Sequence, residues 1–145
     1  MFKHILVPVD GSDTAMLAVD KAIGLAKAFG CPVTAIYVID PYPFTGVGTD
    51  FAYGQSQYLS AATAEASEAT RSAREQISAA GVTVDTRVIE SHTPWRGILE
   101  TAAELGADLI VMGSHGRKGL EKLVLGSVAQ RVLSHATLPV MVVRG

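Results

Sequence analysis

The chain has 145 residues, 48% hydrophobic and 18% charged, a balance ordinary for a globular protein and enough for one core without disulfides or a structural metal; one domain over 1–145 is expected. A formal net charge of -2 excludes the broad attraction that nucleic acid or anionic membrane surfaces exert on basic proteins. The single cysteine, Cys31, excludes an internal disulfide, and its place before Pro32 in an apolar run predicts a buried thiol in a reducing compartment.

In chain order, "MFKHILVPVD" enters a strand-like run at once, without the apolar core of a secretory leader, and no stretch approaches the ~20 apolar residues of a membrane span. A cytoplasmic protein is therefore expected, with no membrane insertion. The first strand is "HILVPV" (4–9). A helix follows, capped by Ser12 or Asp13, with Met16, Val19, Ile23 and Ala26 on one face and Gly30 as its stop. The second strand is "VTAIYVI" (33–39).

Residues 40–58, rich in tyrosine, phenylalanine, glycine and proline, read as a long connection of the kind used for lids, binding loops or disorder. Its "GVG" is no dinucleotide fingerprint, because Phe51 stands where the third glycine belongs and no helix follows directly. Asp40, where a ribose-binding acid often lies, reads better as a turn former before Pro41. A second helix over roughly 58–80 carries a thin stripe of Leu59, Ala62, Ala66, Ala69, Ala73 and Ile77 and ends at Gly81. The strand "VTVDTRVI" (82–89) comes next. The third helix has Thr93 as cap, Pro94 at its first position, Ile98, Leu99 and Ala102 as its stripe, and Gly106 as its end. "DLIVM" (108–112) and "PVMVV" (139–143) complete the strands. Several are apolar on consecutive residues, as strands covered on both faces must be. Strands alternating with helices, joined by right-handed crossovers, make an open, doubly wound parallel α/β sheet.

Between the last two strands lies "GSHGRKGLEKLVLGSV" (113–128). Apolar spacing alone would allow a helix over about 119–135. Gly126 argues against continuity, and Ser127 with Gln130 has the spacing of a capping box, so the helix is expected to begin at Ser127. Residues 113–125 then form a loop, and Gly126-Ser127 offers free amides at a positive helix end, an anion site. Ligands of open parallel sheets sit at the carboxyl ends of strands where the winding reverses. If the first and fourth strands are neighbours, a crevice lies between Asp10 and these glycines, and polyphosphate suits it. Glycines at 113 and 116 allow the backbone to approach a ligand closely and to adopt positive φ. A side chain at Gly126 should block phosphate with little loss of fold, whereas Ser127→Ala should cost about 1 kcal/mol as a lost cap.

Other sites are absent from the sequence. There is no Walker loop, and His4, His92, His115 and His135 lack metal-ligand spacing. No nucleophile elbow or acid and base pair declares itself. His115, Arg117 and Lys118 can meet phosphate or simply solvent.

Gly113-x2-Gly116-x9-Gly126-Ser127, with "ILVPVDGSD", "YVID", "ADLIVMGSHGR" and "LPVMVVRG", resembles the ATP-binding branch of the universal stress protein family over nearly the whole chain. The resemblance implies a five-stranded sheet of order 3-2-1-4-5 with four helices. It implies adenosine contacts at Pro8, Val9, Asp10 and Val38, with Met112 and Gly113 near the ribose. Phosphates would lie against Gly116, Arg117, Gly126, Ser127 and Val128, with Mg2+ or Mn2+ held chiefly by the phosphates. A homodimer through the last strand (139–143) is also implied. Two features depart from the family pattern: the variable 40–58 segment, and "SHTPWR", which lacks a glycine many relatives carry. The expected function is that of a cytoplasmic ATP-binding stress-response or regulatory protein, with at most a weak ATPase activity. The alternatives are a slow ATPase or phosphotransferase assisted by Asp10 or His115, and a nucleotide-free module that binds a partner through 40–58.

Overall fold

The structure, a computed structural model, describes residues 1–41, 49–115 and 125–145, with 49–53 described by their backbone alone. Its strands are β1 (Ile5–Pro8), β2 (Val33–Ile39), β3 (Val84–Glu90), β4 (Leu109–Gly113) and β5 (Val140–Val143), all parallel, in the order β3-β2-β1-β4-β5. The helices are α1 (Asp13–Phe29), α2 (Thr49–Ala79), α3 (Pro94–Leu105) and α4 (Ser127–His135).

The period-2 alternation of a strand sorts the core into two layers. Ile5, Val7, Val33, Ala35, Leu109 and Val111 pack beneath α1 and α2. Their neighbours Leu6, Ile36, Ile110 and Met112 pack beneath α3 and α4. Each fully buried Val, Leu or Ile contributes about 1.5–3 kcal/mol, more than the ~1–2 kcal/mol that ordering one residue's backbone costs. β1, with Ile5, Leu6 and Val7 wholly buried, therefore anchors the sheet, whereas β3 alternates exposed residues along an edge. Asp108 clamps the start of β1 to β4 by accepting the amides of Lys3 and His4 at 2.9–3.1 Å. Partial burial would raise its carboxyl, but those amides outweigh burial and hold it below the usual carboxylate range. Cys31 is buried, as its surroundings predict, and burial pushes its thiol up.

Helix boundaries follow the sequence closely in α1, where Ser12 Oγ accepts the Ala15 amide and Gly30 adopts φ +66°. Three expectations need correction. α2 begins at Thr49, so 49–58 is helix rather than connection; Gln55 Nε2, donating to the Pro41 carbonyl at 3.1 Å, ties its start to the end of β2. Residues 42–48, with the "GVG", lie outside the described residues; a helix does follow them directly, contrary to the expectation, and only Phe51 in the third glycine position still breaks the fingerprint. Thr93 does occupy the cap position of α3, but its hydroxyl makes no cap bond; Ser91 Oγ instead accepts the Thr93 amide. The capping box at α4 is not formed: Gly126 is the cap residue, and Gln130 Nε2 reaches back to the Leu125 carbonyl at 2.7 Å. Gly126, extended at φ -64° and ψ 159°, does separate α4 from what precedes it, so helix is not continuous through that point.

Candidate functional site

The winding reverses between β1 and β4, and there the sheet opens. β1 and β4 pair only at Ile5 with Leu109 and Leu6 with Ile110, whereas β1 pairs with β2 as far as Pro8 and Ile36. Alternate residues of a strand direct their backbone groups to opposite neighbours. The Ile5 and Val9 amides go to the β2 side, bonding the carbonyls of Pro32 and Ile36, so Leu6 and Pro8 face β4. Pro8 has no N–H to give. β4 then pairs onward with β5, through Met112 with Val142 and Gly113 with Val143, and the two central strands part.

The resulting cleft is about 420 Å³ in volume. Of the sequence-derived candidates, Pro8, Val9, Asp10, Val38, Met112 and Gly113 line it from the strand ends, and Gly126, Ser127 and Val128 line it from the start of α4. Gly116 and Arg117 lie outside the described residues. His115 also borders it, with Nδ1 3.1 Å from Ser114 Oγ. Asp40 does not line it and instead stands 3.9 Å from His92 Nδ1.

Sequence reasoning missed Pro94 and Ile98 of α3, Ser12 and Ala15 of α1, and Ala129 of α4. The winding itself was the available signal. A helix that leaves β3 and must reach β4 crosses the face over β2 and β1, so its first turn overhangs their carboxyl ends. Val38, Pro94, Ile98 and Met112 thus give one apolar side, and Asp10, Ser12 and the α4 terminus give a polar one.

Three helix N-termini border the cleft, and they differ: α3 has no side-chain cap bond and no acidic residue in its first turn, but Pro94 leaves its first position without an N–H to offer. α1 is satisfied locally, by Ser12 as cap and Asp13 in its first turn. α4 has neither a side-chain cap bond nor an acidic residue in its first turn. Its positive end is therefore uncompensated by its own sequence, and the amides of Ser127, Val128 and Ala129 lack intrahelical acceptors. The Gly126 amide, expected to be free, is not: it donates to the Ser114 carbonyl at 2.6 Å. Gly126 thus ties the start of α4 to Ser114 at the end of β4.

Gly113 also acts differently from expectation. Its φ is not positive; an added Cβ would fall 3.0 Å from Thr14 Cβ and Oγ1, so glycine lets β4 and α1 approach closely there. Positive φ occurs instead at Gly11, φ +82°, in the turn where Asp10 Oδ1 accepts the Ser12 amide at 2.9 Å. Among the described residues no three His, Cys, Asp or Glu side chains gather as a metal site.

Comparison with known proteins agrees with this geometry. A universal stress protein of Methanocaldococcus jannaschii is 40% identical over 144 residues, covering 99% of this chain and 83% of the relative. The universal stress protein UspA of Lactobacillus plantarum superposes with a TM-score of 0.87 at 29% identity, covering 98% of this chain and 97% of that one. Two other solved structures are a universal stress protein in complex with cAMP (TM-score 0.68, 26% identity, 99% and 97% covered) and one from Archaeoglobus fulgidus in complex with dAMP (0.72, 26%, 98% of each). The profile described as "Universal stress protein family" matches residues 1–144, and with the strand order and the parted central strands it establishes that the chain belongs to the universal stress protein family.

Proposed function

We propose that this protein binds ATP as a regulatory component of the stress response in the cytoplasm, acting as one nucleotide-binding domain over 1–145. The observation that carries the reading is the meeting of an apolar slot with the uncompensated N-terminus of α4 in one cleft of about 420 Å³. That volume is within the range of small-molecule sites, about 300–1,000 Å³. Adenosine would lie along Pro8, Val9, Asp10 and Val38, with Met112 and Gly113 beside the ribose. The phosphates would meet Ser127 and Val128 at the helix end, where anions are stabilised, with Gly126 beside them and with Gly116 and Arg117, which follow the cleft-bordering His115 in sequence. The cAMP and dAMP complexes of relatives support adenine nucleotide as the ligand class.

Mg2+ or Mn2+ would be held chiefly by the phosphates, whose charge it would offset. Asp10 is engaged by the Ser12 amide, which favours a structural role over activation of water. The output of binding would be a change in partner recognition. A homodimer through β5 completes the proposal: β5 ends the sheet, and half-exposed Met141 lies on it. An unpaired apolar edge of this kind invites association, and a second copy covers it symmetrically.

Equilibrium dialysis against Mg-ATP tests the central claim. Saturable binding at or below millimolar concentration, tighter for ATP than for adenosine, is expected; no retention of ATP rejects the reading.

A further inference from the structure

Thr14 does not line the cleft, yet several parts of the chain converge on it. It is the second residue of α1 and is buried at 4% exposure. Its hydroxyl donates to the carbonyl of His115, 101 residues away. Cβ atoms built at Gly113 and Gly145 would fall 3.0 Å and 2.9 Å from its side chain, so β4 and the carboxyl terminus both press against it.

The partner of that hydroxyl belongs to a short turn held at every peptide. The Ser114 amide donates to the Val143 carbonyl at 2.8 Å, and the Ser114 carbonyl accepts the Gly126 amide. The backbone of the same turn packs against Gly126, whose added Cβ would lie 3.1 Å from His115 Cα. The turn thus carries the cap residue of α4 directly, and Thr14 is the α1 side chain that grips it. The order of donors is set as well. Because Thr14 gives its proton to an acceptor-only carbonyl, Ser12 Oγ, 3.4 Å away, must be the donor between the two hydroxyls, while it accepts the Ala15 amide at 3.2 Å. The contact between the two hydroxyls is long, so the Thr14 bond to the His115 carbonyl and the Ser12 bond from the Ala15 amide are two separate ties at the start of α1.

We propose that Thr14 is a positioning residue for the phosphate-binding end of the cleft: its hydroxyl locks the Ser114–His115 turn to α1 and thereby sets where the first amides of α4 point. The inference rests on the nucleotide reading above and extends it to a residue outside the cleft. Its signature is selective. Misplacing the α4 amides weakens the hold on phosphates and leaves the apolar slot as it was.

The test is the ratio of ATP to adenosine affinity, measured by titration calorimetry on the full chain and two variants. Thr14→Val keeps the shape packed against Gly113 and Gly145 but removes the hydroxyl; Thr14→Ser keeps the hydroxyl and removes the methyl. The ratio should fall about tenfold, equivalent to 1.4 kcal/mol, in the valine variant and stay near wild type in the serine variant. Should Thr14→Val not fold, Thr14→Ala measured against Thr14→Ser isolates the same hydroxyl. An unchanged ratio in the valine variant, a fall that follows the methyl instead, or failure of every hydroxyl-free variant to fold overturns the proposal. Wild-type protein that binds neither ligand removes the nucleotide reading itself, a result distinct from binding that ignores Thr14.

Discussion

Gly126 and Ser127 are adjacent, and the structure separates their roles in a way that residue types alone do not. Gly126 has φ -64°, open to any residue, so its constraint is steric: a Cβ would sit 3.1 Å from His115 Cα and 3.3 Å from the Ser114 carbonyl oxygen. Gly126→Val should therefore disturb the fold, contrary to the sequence expectation, by about 1–3 kcal/mol from overpacking. Ser127 is exposed and is the first helical residue rather than the cap, so Ser127→Ala should change stability by no more than about 0.5 kcal/mol. Urea unfolding of the two variants checks this: a large midpoint shift for valine and almost none for alanine is expected. Equal shifts would return Ser127 to a capping role. That Gly113 and Gly126 border one cleft was legible from their spacing. Their reasons were not, because Gly113 is dictated by Thr14 and Gly126 by His115, residues whose proximity no local pattern records.

At the scale of elements, Pro8 terminates the pairing of β1 with β4 while leaving its pairing with β2 intact. Pro8→Ala supplies the missing donor on the side that faces β4. The new amide should bond across the gap, become protected in hydrogen exchange and narrow the cleft, with weaker ATP binding as the result. If the amide introduced by Pro8→Ala exchanges as fast as an unbonded one, this account of the opening is contradicted. Most element boundaries were readable because caps and breakers act locally, as Ser12, Gly30 and Gly106 do. The start of α2 was not. Gly54 and the aromatic residues around it depress helix propensity, and the Gln55 bond to the Pro41 carbonyl is a contact across 14 positions.

For the molecule as a whole, the proposed dimer puts β5 against its copy. Alternate backbone groups of β5 face β4, as the bonds to the Pro139 and Val143 carbonyls show, so Val142 directs its amide outward. Val142→Pro removes that outward donor without cutting the β4 ladder, a substitution edge strands tolerate. Sedimentation should find dimer for wild type and monomer for the variant, with the melting temperature of each chain recorded to establish folding. A variant that still sediments as a dimer would place the interface elsewhere. Apolar runs, caps and glycine spacing carried the parallel α/β architecture, its element order and the neighbourhood of the cleft, since each is a signal within a few residues of chain. Folding alone settled which amides of 126–129 remain available, why the central strands part beyond Leu6, and how Thr14 meets His115. Those outcomes depend on close approaches between segments far apart in sequence, where dense packing, not local propensity, chooses the arrangement.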